Sequence, residues 1–518
     1  MLKNKRIVLH PFLICIYPVI AMLAFNITEM RPTDALRALL VSLVLTTLLF
    51  LLLKVVIKDW VKAGLVCTLA LLLFFSYGHI YDLLRNTNVF GYSIFRHRLQ
   101  GIVWLAIFLL GTWWIIRRLK SPAILNSALN IVAIIALALP LFNLLSYQVQ
   151  AANQTTEHTS LDFSQTANAE EQSLPDVYYI LLDEYSRDDY LLQAFNYDNA
   201  PFLNALAERG FFIGYCSQSN YNQTRQSITS ALNMNYIDAF YPNTYDNLDE
   251  VDLYKHGLAN YLQHSLVREN FEQLGYSTVA FETGFDWTEI KDSDLYLTRN
   301  DQAAGPNLLK GVNEFEVLMI RSSALLFVSA LSPSLADLLL PDLNYPNKDH
   351  RERILFVLDS LEKMPTVPGP KFVFAHIVSP HGPFVFGPNG EVLENAPIYR
   401  IGYPDQISFL NGRVLQIIDE LQKDSNTPPI IILQGDHGAR QHVGEYGRLG
   451  ILNAIYFPGE EYKQLYTKIT PVNTFRTVFN QFFGQSYPLL DDISYKSMYT
   501  DPLNTIIIPN TRQDCEGK

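Results

Sequence analysis

The stretches DVYYILLDE (residues 176–184) and PPIIILQGDHG (residues 428–438) decide the fold of this chain. Each is an apolar run of strand length that stops abruptly at a carboxylate. A run apolar at every position belongs to a strand buried on both faces, in the middle of a sheet covered by helices. In such sheets ligands gather at the carboxyl ends of the strands. The two runs therefore deliver Asp183 and the pair Asp436-His437 to one sheet edge, an oxygen and imidazole set that suits Zn²⁺ or Mn²⁺. Taken singly, Asp183 is equally well a turn cap and His437 an ordinary loop histidine; the combination is what points to a metal.

Around these runs, strands and helices alternate, which implies an α/β domain beginning at Pro175. FFIGY (211–215), YSTVAFET (276–283) and KFVFAHIV (371–378) read as further strands. Ala200–Arg209 has helical apolar spacing, a helix is expected to begin at Ser227, and Pro471–Phe483 forms a late one. Ile407, Leu410, Val414, Ile417 and Leu421 share one face of an amphipathic helix. The region from Asn243 to Pro370 shows no clear pattern and is read as insertions between strands.

The first 150 residues are different. Five stretches, Ile7–Phe25, Ala35–Ile57, Val61–Leu83, Gly101–Ile116 and Ala128–Tyr147, are long and apolar enough to cross a bilayer. The first lacks a small-residue cleavage site and is followed by more spans, so it reads as an uncleaved helix. Lys3, Lys5 and Arg6 precede the first span, Lys54, Lys58 and Lys62 join the second and third, and Arg117, Arg118 and Lys120 follow the fourth. The opposite loops hold Arg31 in one, and Arg85, Arg96 and Arg98 in the other. The count places the N-terminus inside and everything past Tyr147 outside. The expected organisation is thus a transmembrane helical domain (1–148), a polar linker (149–174), a catalytic α/β domain (175–500) and a C-terminal tail (501–518). The net charge of −12 offers no nucleic-acid surface. Cys15 and Cys67 fall within spans. Cys216 and Cys515 lie where a disulfide is chemically allowed, though a frayed tail around Cys515 argues against one.

Two further segments carry chemistry. SNYNQTRQS (219–227) feeds a helix N-terminus, where positive potential and free N–H groups suit a phosphate. A hydroxyl there that touches a divalent cation becomes a nucleophile near neutral pH. Thr224 and Ser227 are both candidates, and either also serves as a plain N-cap. KFVFAHIVSPHGPF (371–384) ends in His376 and then His381-Gly382-Pro383. A histidine at that edge can donate to a phosphoryl oxygen; His376 reads as a buried, hydrogen-bonded residue.

In order, these pieces resemble the alkaline phosphatase superfamily. Within it the chain looks most like sulfatase-like membrane enzymes, the lipoteichoic acid synthases and phosphoethanolamine transferases, which also carry about five N-terminal spans and an extracytoplasmic catalytic domain. The resemblance implies Asp183, Thr224, Asp436 and His437 as ligands of one divalent ion, Thr224 as the nucleophile, and His381 as the substrate-side histidine. Ser227 matches the family's hydroxyl three residues past the nucleophile. Two departures stand out. Cys216 is followed by SQSN, without the Pro and Arg that formylglycine sulfatases need, and no histidine lies between His381 and His437. Arg440 and His442 are the substitutes on offer.

The expectation is a multi-pass cell-membrane enzyme whose outer domain transfers or hydrolyses a phosphoryl-linked group, of phosphoglycerol or phosphoethanolamine type. Its partners would be a membrane lipid or lipid-linked glycan. The rival readings are a phosphodiesterase or phosphatase releasing product to water, and a catalytically degenerate envelope-assembly protein.

Overall fold

The computed structural model describes residues 7–27, 29–84, 88–89, 92–93, 97–153, 174–240, 248–299, 312–327, 345–393, 396–444, 446–460, 462–510 and 512. The chain divides into two compact units, Met1–Gln150 with Ala304–Pro346, and Ala151–Ala303 with Asn347–Lys518. The principal helices are α1 (His10–Phe25), α2 (Leu36–Ile57), α3 (Trp60–Leu84), α4 (His97–Arg117), α5 (Pro122–Asn153), α6 (Thr224–Leu232), α7 (Glu314–Ser322), α8 (Tyr399–Asp424) and α9 (Pro471–Phe482). The strands of the sheet unit are β1 (Val177–Leu182), β2 (Phe212–Ile213), β3 (Ser277–Phe281), β4 (Leu295–Leu297), β5 (Lys371–Ile377), β6 (Ile430–Gly435), β7 (Asn453–Tyr456), β8 (Ser494–Met498) and β9 (Asp501–Ile508).

In the helical unit α2 to α5 are long and apolar enough to cross a membrane, whereas α1 has 16 residues and is shorter. Their apolar side chains point outward, Leu52 at 62% exposure and Val55 at 72%. Several polar groups turn inward and find partners, as hydrocarbon favours. His10 Nδ1 lies 2.6 Å from Thr68 Oγ1, and the N–H groups of Leu9 and His10 donate to Asn130 Oδ1. The segment Ala304–Pro346, expected inside the catalytic domain, belongs to this unit instead. Its helix α7 starts with an Asn313–Glu316 capping box, which satisfies two N–H groups reciprocally. Glu316 pairs with Arg37 beside the start of α2, and the Ala324 N–H donates to the Phe74 carbonyl at 2.8 Å. A Cβ at Gly78 would overlap the Arg321 carbonyl, so glycine is what lets α3 and α7 touch.

The sheet unit holds a seven-stranded sheet in the order β2-β7-β6-β1-β5-β3-β4. The central strands run parallel, while β7 is antiparallel to both β6 and β2. Because strand side chains alternate between faces, Tyr178, Ile180 and Leu182 enter one core and Val177, Tyr179 and Leu181 the other. All six residues of β1 are buried, as the unbroken apolar run requires. Strands β4 and β7 were not anticipated, and β8 and β9 form an antiparallel hairpin, so 501–508 is strand rather than tail. Within the expected linker, 154–173 lie outside the described residues. Cys216 is disulfide-bonded, contrary to the expectation, whereas Cys15 and Cys67 are free; Cys515 lies outside the described residues.

Candidate active site

Register builds the site. Leu182, the last residue of β1, pairs with Gly435 on β6 and Ile377 on β5. The next residues along, Asp183 and Asp436, therefore emerge side by side at the sheet's carboxyl edge. With His437 they offer ligand atoms that all lie within 4.8 Å of one another. Asp436 Oδ1 accepts from the N–H groups of Glu184 (2.8 Å) and His437 (2.7 Å), which fixes the carboxyl plane. That leaves Asp183 Oδ1 and Asp436 Oδ2 buried without a hydrogen-bond partner.

The charges make the same point. Burial works against ionisation of Asp183, but His381, His376 and His437 outweigh it and hold the carboxyl well below the usual range. Asp436 is pushed far up, first by burial and then by the charge of Asp183. Burial, followed by the neighbouring Arg448, keeps His437 neutral. Two buried carboxyls and a neutral imidazole converging on one point repel a second negative charge and accept a divalent cation. The donor set fits the metal that the sequence implied.

Thr224 completes the cluster, its Oγ1 3.1 Å from His437 Nε2. It is the first residue of α6, which begins three residues earlier than expected because Gln223, a poor sequence signal, occupies the N-cap without a side-chain cap bond. Residues 225–232 are all buried while Thr224 is half-buried, so the hydroxyl is the part of this helix that solvent reaches. Ser227 sits one turn further in, 2% exposed, and donates to the Asp436 carbonyl at 2.6 Å. It anchors the ligand-bearing main chain.

On the opposite rim the His381 N–H donates to the Asp183 carbonyl at 3.1 Å. The His381 ring places Nδ1 2.5 Å from the Gly382 carbonyl and turns Nε2 to the Arg440 guanidinium. The ring thus sits between the Gly382 carbonyl and the Arg440 guanidinium. Arg440 in turn holds the Glu184 carboxylate through Nε (3.2 Å) and its backbone N–H (2.6 Å), while the Tyr399 hydroxyl donates to the same carboxylate at 2.6 Å. His442 is exposed, edge-on to Phe195 with ring centroids 6.0 Å apart, and makes no hydrogen bond to the cluster among the described residues.

Two residues escaped the sequence reading of the site, Glu184 and Arg448. Glu184 is fully buried with φ +70, a left-handed conformation costly for a residue with a Cβ. Its position beside Asp183 was the only signal. Arg448 sits in a loop whose sequence marks nothing, yet its Nη2 is 3.4 Å from His437 Nε2. Burial and the charge of Arg440 lower its pKa. His376, read from the sequence as buried and hydrogen-bonded, is buried in register with Leu181, but neither ring nitrogen has a hydrogen-bond partner, Nε2 lying 3.5 Å from Asp183 Oδ2.

No protein-family profile and no curated protein matches the chain. Similar solved structures include the zinc complex of the C-terminal periplasmic domain of EptC from Escherichia coli, at 14% identity and TM-score 0.37, covering 61% of this chain and 85% of that one. Another is the integral membrane lipooligosaccharide phosphoethanolamine transferase EptA from Neisseria meningitidis, at 12% identity and TM-score 0.34, covering 91% and 95%. A third is BT1596, a 2-O GAG sulfatase, at 11% identity and TM-score 0.35, covering 61% and 72%. The chemistry of this chain rests on its own residues.

Proposed function

We propose that the sheet unit is a metal-dependent phosphoryl-group transferase, held at the membrane by the helical unit and working through Thr224. The observation that carries the reading is the half-buried Thr224 hydroxyl 3.1 Å from His437, beside the unpartnered oxygens of Asp183 and Asp436. Asp183, Asp436, His437 and Thr224 would hold one Zn²⁺ or Mn²⁺ ion, whose chemistry is to acidify a hydroxyl and neutralise phosphoryl charge.

Thr224 Oγ forms the bond to phosphorus while the bond from phosphorus to the donor's leaving oxygen breaks, and the proton lost by Thr224 ends on that oxygen. The oxygen of an acceptor hydroxyl then bonds to phosphorus as the bond from phosphorus to Thr224 Oγ breaks, and the acceptor's proton ends on Thr224, restoring its hydroxyl. Arg440 and Arg448 flank the cluster and supply charge-assisted N–H donors to the phosphoryl oxygens. His381, whose ring touches the Arg440 guanidinium, aligns it, so the role first expected of the histidine passes in part to the arginine. With water as acceptor the same steps give a phosphodiesterase or phosphatase, and product analysis with donor lipid separates the two. The membrane unit favours a lipid or lipid-linked donor of phosphoglycerol or phosphoethanolamine type, because it confines the site to the bilayer surface. On the basic-loop count the sheet unit lies outside the cytoplasmic membrane, and a reporter fused after Asn153 is active only when exported.

Metal analysis of the purified protein with and without Asp436→Asn tests the reading. Bound Zn or Mn near one per chain, lost in the variant along with turnover, is the expected result. A metal-free, inactive wild type would leave a degenerate partner-binding domain in its place.

A further inference from the structure

Within the helical unit, a cavity of about 540 Å³ runs between α2, α3 and α7, inside the size range of ligand sites. Val41, Leu45, Leu71, Phe75, Met319 and Ile320 line most of it, and its only charged lining residues are Arg37 and Glu316. The wall is recessed because Ala38, Ser42 and Ala70 stand where larger side chains would fill the space.

Its polarity is graded along α2. The ion pair sits beside the helix start, and the last α2 residue of the wall is Leu49. From Arg37 to Leu49 the helix climbs roughly 18 Å at 1.5 Å per residue. One leaflet of a hydrocarbon core is about 15 Å deep, half of ~30 Å. The cavity is therefore one leaflet long, charged at one end and apolar over the rest, in the helix of highest mean hydropathy (2.7 over its apolar window). Arg37 and Glu316 neutralise each other, with side-chain exposures of 20% and 9%. That end matches a headgroup bearing both signs better than one with net charge.

We propose that this cavity binds one acyl chain of a bilayer glycerophospholipid whose headgroup has no net charge, with the headgroup at the Arg37–Glu316 pair. The site lies wholly in the helical unit and is independent of the chemistry assigned to Thr224: a Thr224→Ala protein binds the lipid as the wild type does. Residues 312–325 supply one wall, which gives this excursion of the chain a role in the membrane.

The test uses the full-length protein in phosphatidylglycerol vesicles doped with phosphatidylcholine carrying a photoreactive acyl chain, with peptides mapped by mass spectrometry. Labelling within 38–49, 70–75 and 319–320 is expected to saturate and to be competed by unlabelled phosphatidylcholine several-fold better than by phosphatidylglycerol. Labelling at the outward-facing Ile131–Ile135 of α5, where Ile131 is 59% and Ile135 65% exposed, should not saturate. Ser42→Trp, with an unchanged unfolding midpoint, should abolish the saturable component; Ala70→Leu repeats the block from the facing helix. Cavity labelling that behaves like that at 131–135 means annular lipid only and overturns the proposal. Equal competition by the two lipids overturns it as well.

Discussion

The two units solve opposite solvent problems with the same residue types. In α2 the leucines and valines face outward, and only 11% of its apolar window is buried. In β1 and β6 the same kinds of side chain are buried at every position. Both units leave some buried polar atoms without a hydrogen-bond partner, His10 Nε2 and Gln100 Oε1 in the helical unit as well as Asp183 Oδ1 and Asp436 Oδ2 in the sheet unit. What sets the sheet edge apart is convergence: Asp183, Asp436 and His437 bring ligand atoms within 4.8 Å of one another.

The sharpest break of that contrast is Thr224→Ala. Removing the hydroxyl should cut turnover on the order of a thousandfold or more, while metal content and the unfolding midpoint hold. Full activity, or a covalent adduct on Ser227 by intact-mass peptide analysis, would move the nucleophile elsewhere.

Next in size is a matched pair of core and lipid-face truncations. Ile431→Ala, at 0% exposure, should cost about 2–5 kcal/mol of stability. Leu52→Ala, at 62% exposure, should stay within about 0.5 kcal/mol. Denaturation of the full chain in detergent measures both, and equal losses would erase the distinction between the two units.

A smaller effect comes from pH. Burial and the Asp183 charge raise the Asp436 carboxyl above its ordinary value of 3.8 in the metal-free fold. That proton-linked stability is fully present below 3.8 and is lost as pH climbs towards the raised value. A bound cation needs the ionised carboxylate and reverses the trend. The gap in unfolding midpoint between metal-loaded and chelated protein should therefore widen from about pH 5 to about pH 8. A gap that narrows would place the cation elsewhere.

Smallest is Ser227→Ala, which removes the bond to the Asp436 carbonyl. It should cost about 1 kcal/mol by thermal unfolding and leave measurable turnover.

The parts of this architecture visible in the sequence were those where burial is uniform. A strand covered on both faces prints as an unbroken apolar run, so β1, β5 and β6, and the carboxylates that end two of them, could be read directly. β4 has three residues and β7 mixes Asn453 and Tyr456 with two apolar ones, too short and too mixed for any period to show. Glu184 and Arg448 were invisible for another reason: their roles depend on a left-handed turn and on a loop fold, neither of which has a residue signature here. The segment Ala304–Pro346 reads as apolar in the midst of an α/β domain, and hydropathy alone does not say which core receives it.

That segment also changes what proteolysis or truncation can achieve. A chain that left the helical unit once could be shed as a soluble enzyme by one cut after Asn153. Here residues 312–327 group with the helical unit although the chain on either side of that segment belongs to the sheet unit. A single nick leaves the sheet unit still fastened through its own middle, and a secreted version would have to be engineered by excising that loop as well as the first five helices.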